Sequence, residues 1–216
     1  DGRIDLVSAD IDAGSSTTIS VFRNQSISGT ILFGNLQTFV VGSRPLGMAV
    51  GDLDKDGKVD LVIVNFNSGN ASILRNTSIL GSINFTSAIT LTGLSTPQMP
   101  ILADLDGDGN LDVAVSNFGN ATVSLFRNAF STTGTITFSL TPLTVNMIGG
   151  GNPAGMFAGD LDGDNRVDLV AGTPNTNMVA VLKNMSTGVG SLTFSTNIYA
   201  TGASYSENVI VADMNA

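Results

Sequence analysis

Three stretches of nine residues hold most of the groups in this chain that could do chemistry. They read Asp52-Leu53-Asp54-Lys55-Asp56-Gly57-Lys58-Val59-Asp60, Asp104-Leu105-Asp106-Gly107-Asp108-Gly109-Asn110-Leu111-Asp112 and Asp160-Leu161-Asp162-Gly163-Asp164-Asn165-Arg166-Val167-Asp168. One rule covers all three: aspartate at positions 1, 3, 5 and 9, with glycine or asparagine at position 6. Four carboxylates packed this closely repel one another unless a hard cation sits among them. An all-oxygen donor set of that size suits Ca²⁺, whereas Mg²⁺ prefers to keep several of its waters. The spacing predicts the ligand order. The carboxylates of positions 1, 3 and 5 curl around one ion, position 7 (Lys58, Asn110 and Arg166) offers its backbone carbonyl, and the aspartate at position 9 closes the shell. The sharp turn at position 6 wants a positive φ, which Gly57 and Gly109 accept freely and Asn165 better than other non-glycine residues. Leu53 with Val59, and Leu105 with Leu111, occupy positions 2 and 8 and are expected to anchor their loops to a core.

Elsewhere the composition excludes more than it offers. The 216 residues include no His, Cys or Trp, which removes catalytic triads, thiol nucleophiles, imidazole and thiolate metal sites and disulfides. Of the 18 acidic residues 17 are Asp, with Glu207 alone as Glu, and the formal charge is -9. That sign argues against a nucleic-acid partner, whose phosphates need clustered Lys and Arg. Asp10, Asp12 and Glu207 stand outside any motif and do not assemble a carboxylate pair for acid–base work. No apolar run approaches the ~18 residues that span a bilayer. Isolated Asp-Gly turns would explain one copy of the motif but not three. A helical EF-hand fits poorly, because each loop runs into β-type sequence and lacks the Glu at position 12.

The loops recur at Asp52, Asp104, Asp160 and Asp213, spaced by 52, 56 and 53 residues, the range of propeller blades. After each loop comes a short apolar run, Leu6-Val7, Leu61-Val62-Ile63-Val64, Val113-Ala114-Val115 or Leu169-Val170-Ala171, of the kind found in strands covered on both faces. A turn and a second strand follow, ending Val21-Phe22-Arg23-Asn24, Ile73-Leu74-Arg75-Asn76, Leu125-Phe126-Arg127-Asn128 and Val181-Leu182-Lys183-Asn184. A third strand is expected around Phe33, Phe85, Phe138 and Phe194, and a fourth just before each loop, as in Met48-Ala49-Val50 or Ile101-Leu102-Ala103. The expected fold is all-β, a β-propeller-type array of about four four-stranded blades. Its repeats fall at 1–46, 47–98, 99–154 and 155–207, with 208–216 opening the next.

With these residues in place, from Gly51-Asp52 to Asp60-Leu61-Val62 and its counterparts, the chain resembles the FG-GAP or VCBS-type repeats. Their blades build the β-propellers of integrin α subunits and of many bacterial surface proteins. The resemblance covers essentially the whole sequence. It implies a calcium loop between the first two strands of each blade, an extracellular location, and adhesion or carrier work without catalysis. Asn76-Thr77-Ser78 and Ser82-Ile83-Asn84-Phe85 look most like repeats of secreted bacterial proteins. Family propellers normally have more blades than the four counted here.

The function expected is therefore a secreted, non-enzymatic, calcium-binding module for adhesion, scaffold or fibre assembly, binding a glycan or protein at the cell surface. The alternative is a non-catalytic propeller attached to a secreted polysaccharide-active enzyme. Arg23, Arg75, Arg127 and Lys183 share a register and read as a lateral basic stripe or as guards of an edge strand. Six Asn-x-Ser/Thr sequons occur, at Asn24, Asn70, Asn76, Asn84, Asn120 and Asn184; their turn positions suit backbone roles as well as glycans. The chain ends also break one motif in complementary places. Asp213-Met214-Asn215-Ala216 matches loop positions 1 to 4, and Asp1-Gly2-Arg3-Ile4-Asp5 matches positions 5 to 9. Asp213, Asn215, Asp1 and Asp5, with the Arg3 carbonyl, are expected to form a fourth ion site. Two arrangements would do this: four blades closing on themselves, or head-to-tail copies in a longer chain or filament.

Overall fold

The computed structural model describes residues 2–11, 15–147, 149, 151–202 and 206–214. Its fifteen strands are β1 (Leu6–Ala9), β2 (Thr18–Asn24), β3 (Phe33–Val40), β4 (Pro45–Gly51), β5 (Asp60–Asn65), β6 (Asn70–Asn76), β7 (Phe85–Leu91), β8 (Pro97–Ala103), β9 (Asp112–Asn117), β10 (Thr122–Phe126), β11 (Leu143–Asn146), β12 (Met156–Gly159), β13 (Asp168–Thr173), β14 (Met178–Asn184) and β15 (Phe194–Ala200). Among the described residues the only helix is a single 3-10 turn at Phe118–Asn120. Every strand pairs antiparallel with its sequence neighbours inside four sheets, β1 to β3, β4 to β7, β8 to β11 and β12 to β15.

Each of the last three sheets opens with the strand that precedes an aspartate loop. Gly51 pairs with Asp60, Ala103 with Asp112 and Gly159 with Asp168, so each loop joins the first two strands of its sheet. Among the described residues the first sheet has three strands, not the four expected.

The second strands are the most buried. All six residues of β5, β9 and β13 are buried. Their side chains alternate between two cores, as the period of two in a strand requires. Leu61 and Ile63 face Ile19 and Val21 of the first sheet, while Val62 and Val64 face Val113, Val115 and Phe126 of the third. Leu169 and Ala171 of β13 pack in turn on Ala114, Val123 and Leu125. Fully burying one such aliphatic side chain contributes about 2 kcal/mol, so the seams between sheets hold the array together. β1 departs from this expectation. Its burial alternates between exposed and partial, because one long edge of the first sheet is uncovered.

At the start of the second and fourth sheets the backbone meets a neighbouring segment closely. A Cβ on Gly47 would lie 2.2 Å from the Gln98 carbonyl oxygen, and one on Gly155 2.6 Å from that of Glu207. Only glycine fits there.

The fourth strand of the third sheet also differs from expectation. It is β11, whereas Phe138 forms only an isolated bridge to Asn128. Pro142 separates the two; without an N–H it cannot extend the ladder. Sheet-to-sheet packing runs from β1 to β4, β4 to β8 and β8 to β12. Residues 206–214 form no strand, and among the described residues β1 pairs only with β2, so no further strand completes that edge of the first sheet.

Candidate metal centres

Each aspartate loop is folded by its own carboxylates. The position-1 aspartate accepts backbone N–H groups from the turn it opens: Asp52 from Asp56 (3.2 Å) and Gly57 (2.9 Å), Asp104 from Gly107 (2.8 Å), Asp108 (3.1 Å) and Gly109 (2.8 Å), and Asp160 from Gly163 (2.8 Å), Asp164 (3.1 Å) and Asn165 (2.8 Å). The position-9 aspartate closes the loop with both oxygens. Asp60 accepts from Leu53 N (2.9 Å) and Asn76 N (2.8 Å), Asp112 from Leu105 N (3.0 Å) and Asn128 N (2.8 Å), and Asp168 from Leu161 N (3.0 Å) and Asn184 N (2.8 Å). Position 6 has the positive φ expected of it, 83° at Gly57, 80° at Gly109 and 64° at Asn165. Position 4 shares it, at 54° for Lys55, 74° for Gly107 and 78° for Gly163, a second left-handed residue that the glycines at 107 and 163 could have signalled.

In all three loops the fold brings carboxylates together. Ligand oxygens of Asp52, Asp54 and Asp60 lie within 4.8 Å of one another, as do those of Asp104, Asp106 and Asp108, and those of Asp160, Asp162 and Asp168. Asp56, Asp112 and Asp164 stand beside these groups. The position-7 residues Lys58, Asn110 and Arg166 donate their N–H to Asp56, Asp108 and Asp164 at 3.0, 2.8 and 3.0 Å.

Three observations show that these donors fit a cation. The side-chain oxygen of Asn110 is buried in its loop with no hydrogen-bond partner. Burial, with Asp106 and Asp108 close by, pushes the Asp112 carboxyl up to about 7, and burial likewise raises that of Asp60. Both shifts arise first from burial of the carboxylate away from water and are reinforced by the neighbouring aspartates. Third, a cationic side chain already sits on each loop. Arg75 Nε meets Asp54 at 2.5 Å and its Nη2 meets Asp56 at 2.8 Å; Arg127 bonds Asp106 and, at 3.0 Å, Asp108. In the third loop Lys183 pairs with Asp162 and Arg166 with Asp164.

Those contacts overturn the reading of Arg75, Arg127 and Lys183 as a stripe or edge guard: the end of each sheet's third strand delivers them to the loop. Arg23, from the first sheet, donates to the Gly81 carbonyl at 2.9 Å. The following asparagine is used just as consistently. The side-chain amides of Asn24, Asn76, Asn128 and Asn184 donate to the carbonyls of Ile4 (2.7 Å), Val59 (2.9 Å), Leu111 (3.2 Å) and Val167 (3.1 Å), each one residue before a position-9 aspartate. Three of the six sequons are thus structural clasps whose amide nitrogen is engaged. Asn128, which is no sequon, was missed; its shared register was the available signal.

The anchoring role of positions 2 and 8 holds only in part. Leu53 and Leu105 are buried, but Val59, which lines a cavity with Ile4 and with Leu6 and Val7 of the first sheet, is 55% exposed, and Leu161 is 36% exposed. Of the composite fourth loop, Asp1 and Asn215 lie outside the described residues. Its described half is built like the others: Gly2 has φ 76°, and Asp5 accepts from Asn24 N at 2.7 Å. Asp10 outside the loops takes a hydroxyl hydrogen bond from Thr18 (2.8 Å), and Asp12 lies outside the described residues. No helix among the described residues is long and apolar enough to cross a membrane.

Comparison with known proteins gives one family. The FG-GAP-like repeat matches residues 1–63, 52–115 and 104–171, each match ending in the second strand of a sheet. No curated protein matches the sequence.

Proposed function

Because the chain belongs to the FG-GAP-like repeat family, we propose that it is a calcium-loaded, non-enzymatic extracellular module used for adhesion, scaffolding or fibre assembly. One observation carries the reading: the same carboxylate cradle is built three times, each time closed by the same backbone hydrogen bonds. Ca²⁺ would be held by Asp52, Asp54, Asp56 and Asp60, by Asp104, Asp106, Asp108 and Asp112, and by Asp160, Asp162, Asp164 and Asp168, with the position-7 carbonyls completing each shell. A shell this crowded leaves no open coordination position for a substrate, which supports a structural ion over a catalytic one.

The partners proposed are a glycan or protein at the cell surface and further copies of the chain itself. For self-association the free edge of β1 is the acceptor. Val209, Ile210 and Val211 repeat the apolar pattern of Pro100, Ile101 and Leu102 before a loop, and Ile210 is 74% exposed. Pairing Ala212 with Asp5, as Ala103 pairs with Asp112, would bring Asp213 to the half-loop that ends at Asp5.

A binding screen against glycan and protein arrays, run in millimolar Ca²⁺ and repeated in EGTA, tests the function. Calcium-dependent binding is the expected result, with sedimentation reporting self-association. Turnover of a polysaccharide by the isolated chain would overturn it.

A further inference from the structure

Loops 52–60 and 104–112 each touch more than their own sheet. The side-chain amide of Asn128, in the third sheet, donates at 2.9 Å to the carbonyl of Leu53, position 2 of the loop in the second sheet. The same nitrogen holds Leu111 O of its own loop at 3.2 Å. Asn184, in the fourth sheet, repeats this one blade on, bonding Leu105 O at 2.8 Å and Val167 O at 3.1 Å. Both asparagines are buried. The next residue of the first loop is held as well, since Gly134 N donates to Asp54 O at 3.0 Å.

Side chains close the same seam. Leu53 packs with Phe126, Ile136 and Phe138 of the third sheet, and Leu105 with Leu169 and Leu182 of the fourth. A Cβ on Gly134 would lie 3.1 Å from the Arg75 guanidinium, and one on Gly190 3.3 Å from that of Arg127, so each following sheet also roofs the arginine that pairs with the loop. Leu53 and Asp54 are therefore held from two directions: from within the loop by the Asp60 carboxylate on Leu53 N, and from the following sheet by the Asn128 side-chain amide and the Gly134 N–H.

We propose that these loops are joints between successive blades, with Asn128 and Asn184 as positioning residues that couple cation binding in one blade to docking of the next. The inference rests on the calcium reading above. Because the coupling is thermodynamic it is reciprocal: an ion in loop 52–60 tightens the third sheet, and a docked third sheet raises affinity in loop 52–60. An uncovered loop is not helped in this way. The third loop, 160–168, where Leu161 stands 36% exposed, is the weakest binder of the three.

The test uses the full chain carrying Asp104→Asn and Asp160→Asn, which leaves loop 52–60 as the intact site. Calorimetry measures its Ca²⁺ affinity, and hydrogen exchange measures protection of residues 130–138. Asn128→Ala should weaken Ca²⁺ binding about fivefold, the scale of a modest coupling, and abolish the calcium-induced protection. Asn184→Ala, equally buried but attached to loop 104–112, should leave both unchanged and so controls for general destabilisation. If Asn128→Ala does not fold, Asn128→Ser, too short to reach both carbonyls, takes its place. Equal affinity with Asn128 and with its substitute overturns the coupling while leaving calcium binding intact. Absence of any Ca²⁺ heat in the parent chain would overturn both.

Discussion

Loops 104–112 and 160–168 share their first five residue types and the closing aspartate, and differ in what covers them. In the first, Asp106, Asp112 and Leu105 are buried beneath the fourth sheet, and a roofed arginine lies across Asp106 and Asp108. In the second, Asp160, Asp162 and Leu161 are exposed and Lys183 stands in for arginine. One carboxyl at a different position of each loop is shifted, in opposite directions. Burial raises Asp112 to about 7, while the Lys183 ammonium holds Asp162 below the usual carboxylate range. A nine-residue motif therefore fixes the backbone of the loop, and the neighbouring sheet fixes its electrostatics.

Removing the closing aspartate should separate the two loops most strongly. Asp112→Ala strands two buried N–H donors, at 1–3 kcal/mol each, and should cost about 4 kcal/mol in urea denaturation with Ca²⁺ present. Asp168→Ala strands the same pair, but Leu161 N lies nearer water, and about 2 kcal/mol is expected. Equal losses would break the comparison. Truncating position 2 sharpens it. Leu105→Ala should cost about 3 kcal/mol as a core deletion, and Leu161→Ala under about 1 kcal/mol as a surface change.

The pH dependence follows from the signs. A carboxyl whose folded pKa is raised takes up protons in the folded state, so without Ca²⁺ Asp112 makes the fold less stable as pH climbs from about 4 to about 7. Asp112→Asn should flatten that slope. Asp162, with its pKa lowered, contributes stability that is present above the usual carboxylate value and lost only in more acid solution. Melting curves in EGTA between pH 4 and 8 check both. The smallest effect expected is that of the basic side chains. Arg127→Gln should cost about 1 kcal/mol, as an ion pair with one buried partner, and Lys183→Gln should produce no measurable change.

Much of this was legible in the sequence. The all-β class, the loop positions, the left-handed turn at Gly57, Gly109 and Asn165 and the doubly covered strand after each loop all follow from local pattern and period. What escaped depends on contacts far apart in sequence. Nothing local to Arg75 or Arg127 points to a carboxylate 21 residues away, nor anything at Asn128 to a carbonyl 75 residues away. Val59 was misread for the same reason. Position 2 or 8 is core only where another sheet arrives to cover it, and that is decided by the order of the sheets.

The central claim is that these cradles take up Ca²⁺ in the folded chain. Thermal melting of the intact protein in millimolar Ca²⁺ and in excess EGTA tests it directly. Each ion bound only to the folded state adds about 2.7 kcal/mol at a hundredfold excess over Kd, so calcium should raise the melting temperature by many degrees. Superimposable melting curves in the two solutions would contradict the account.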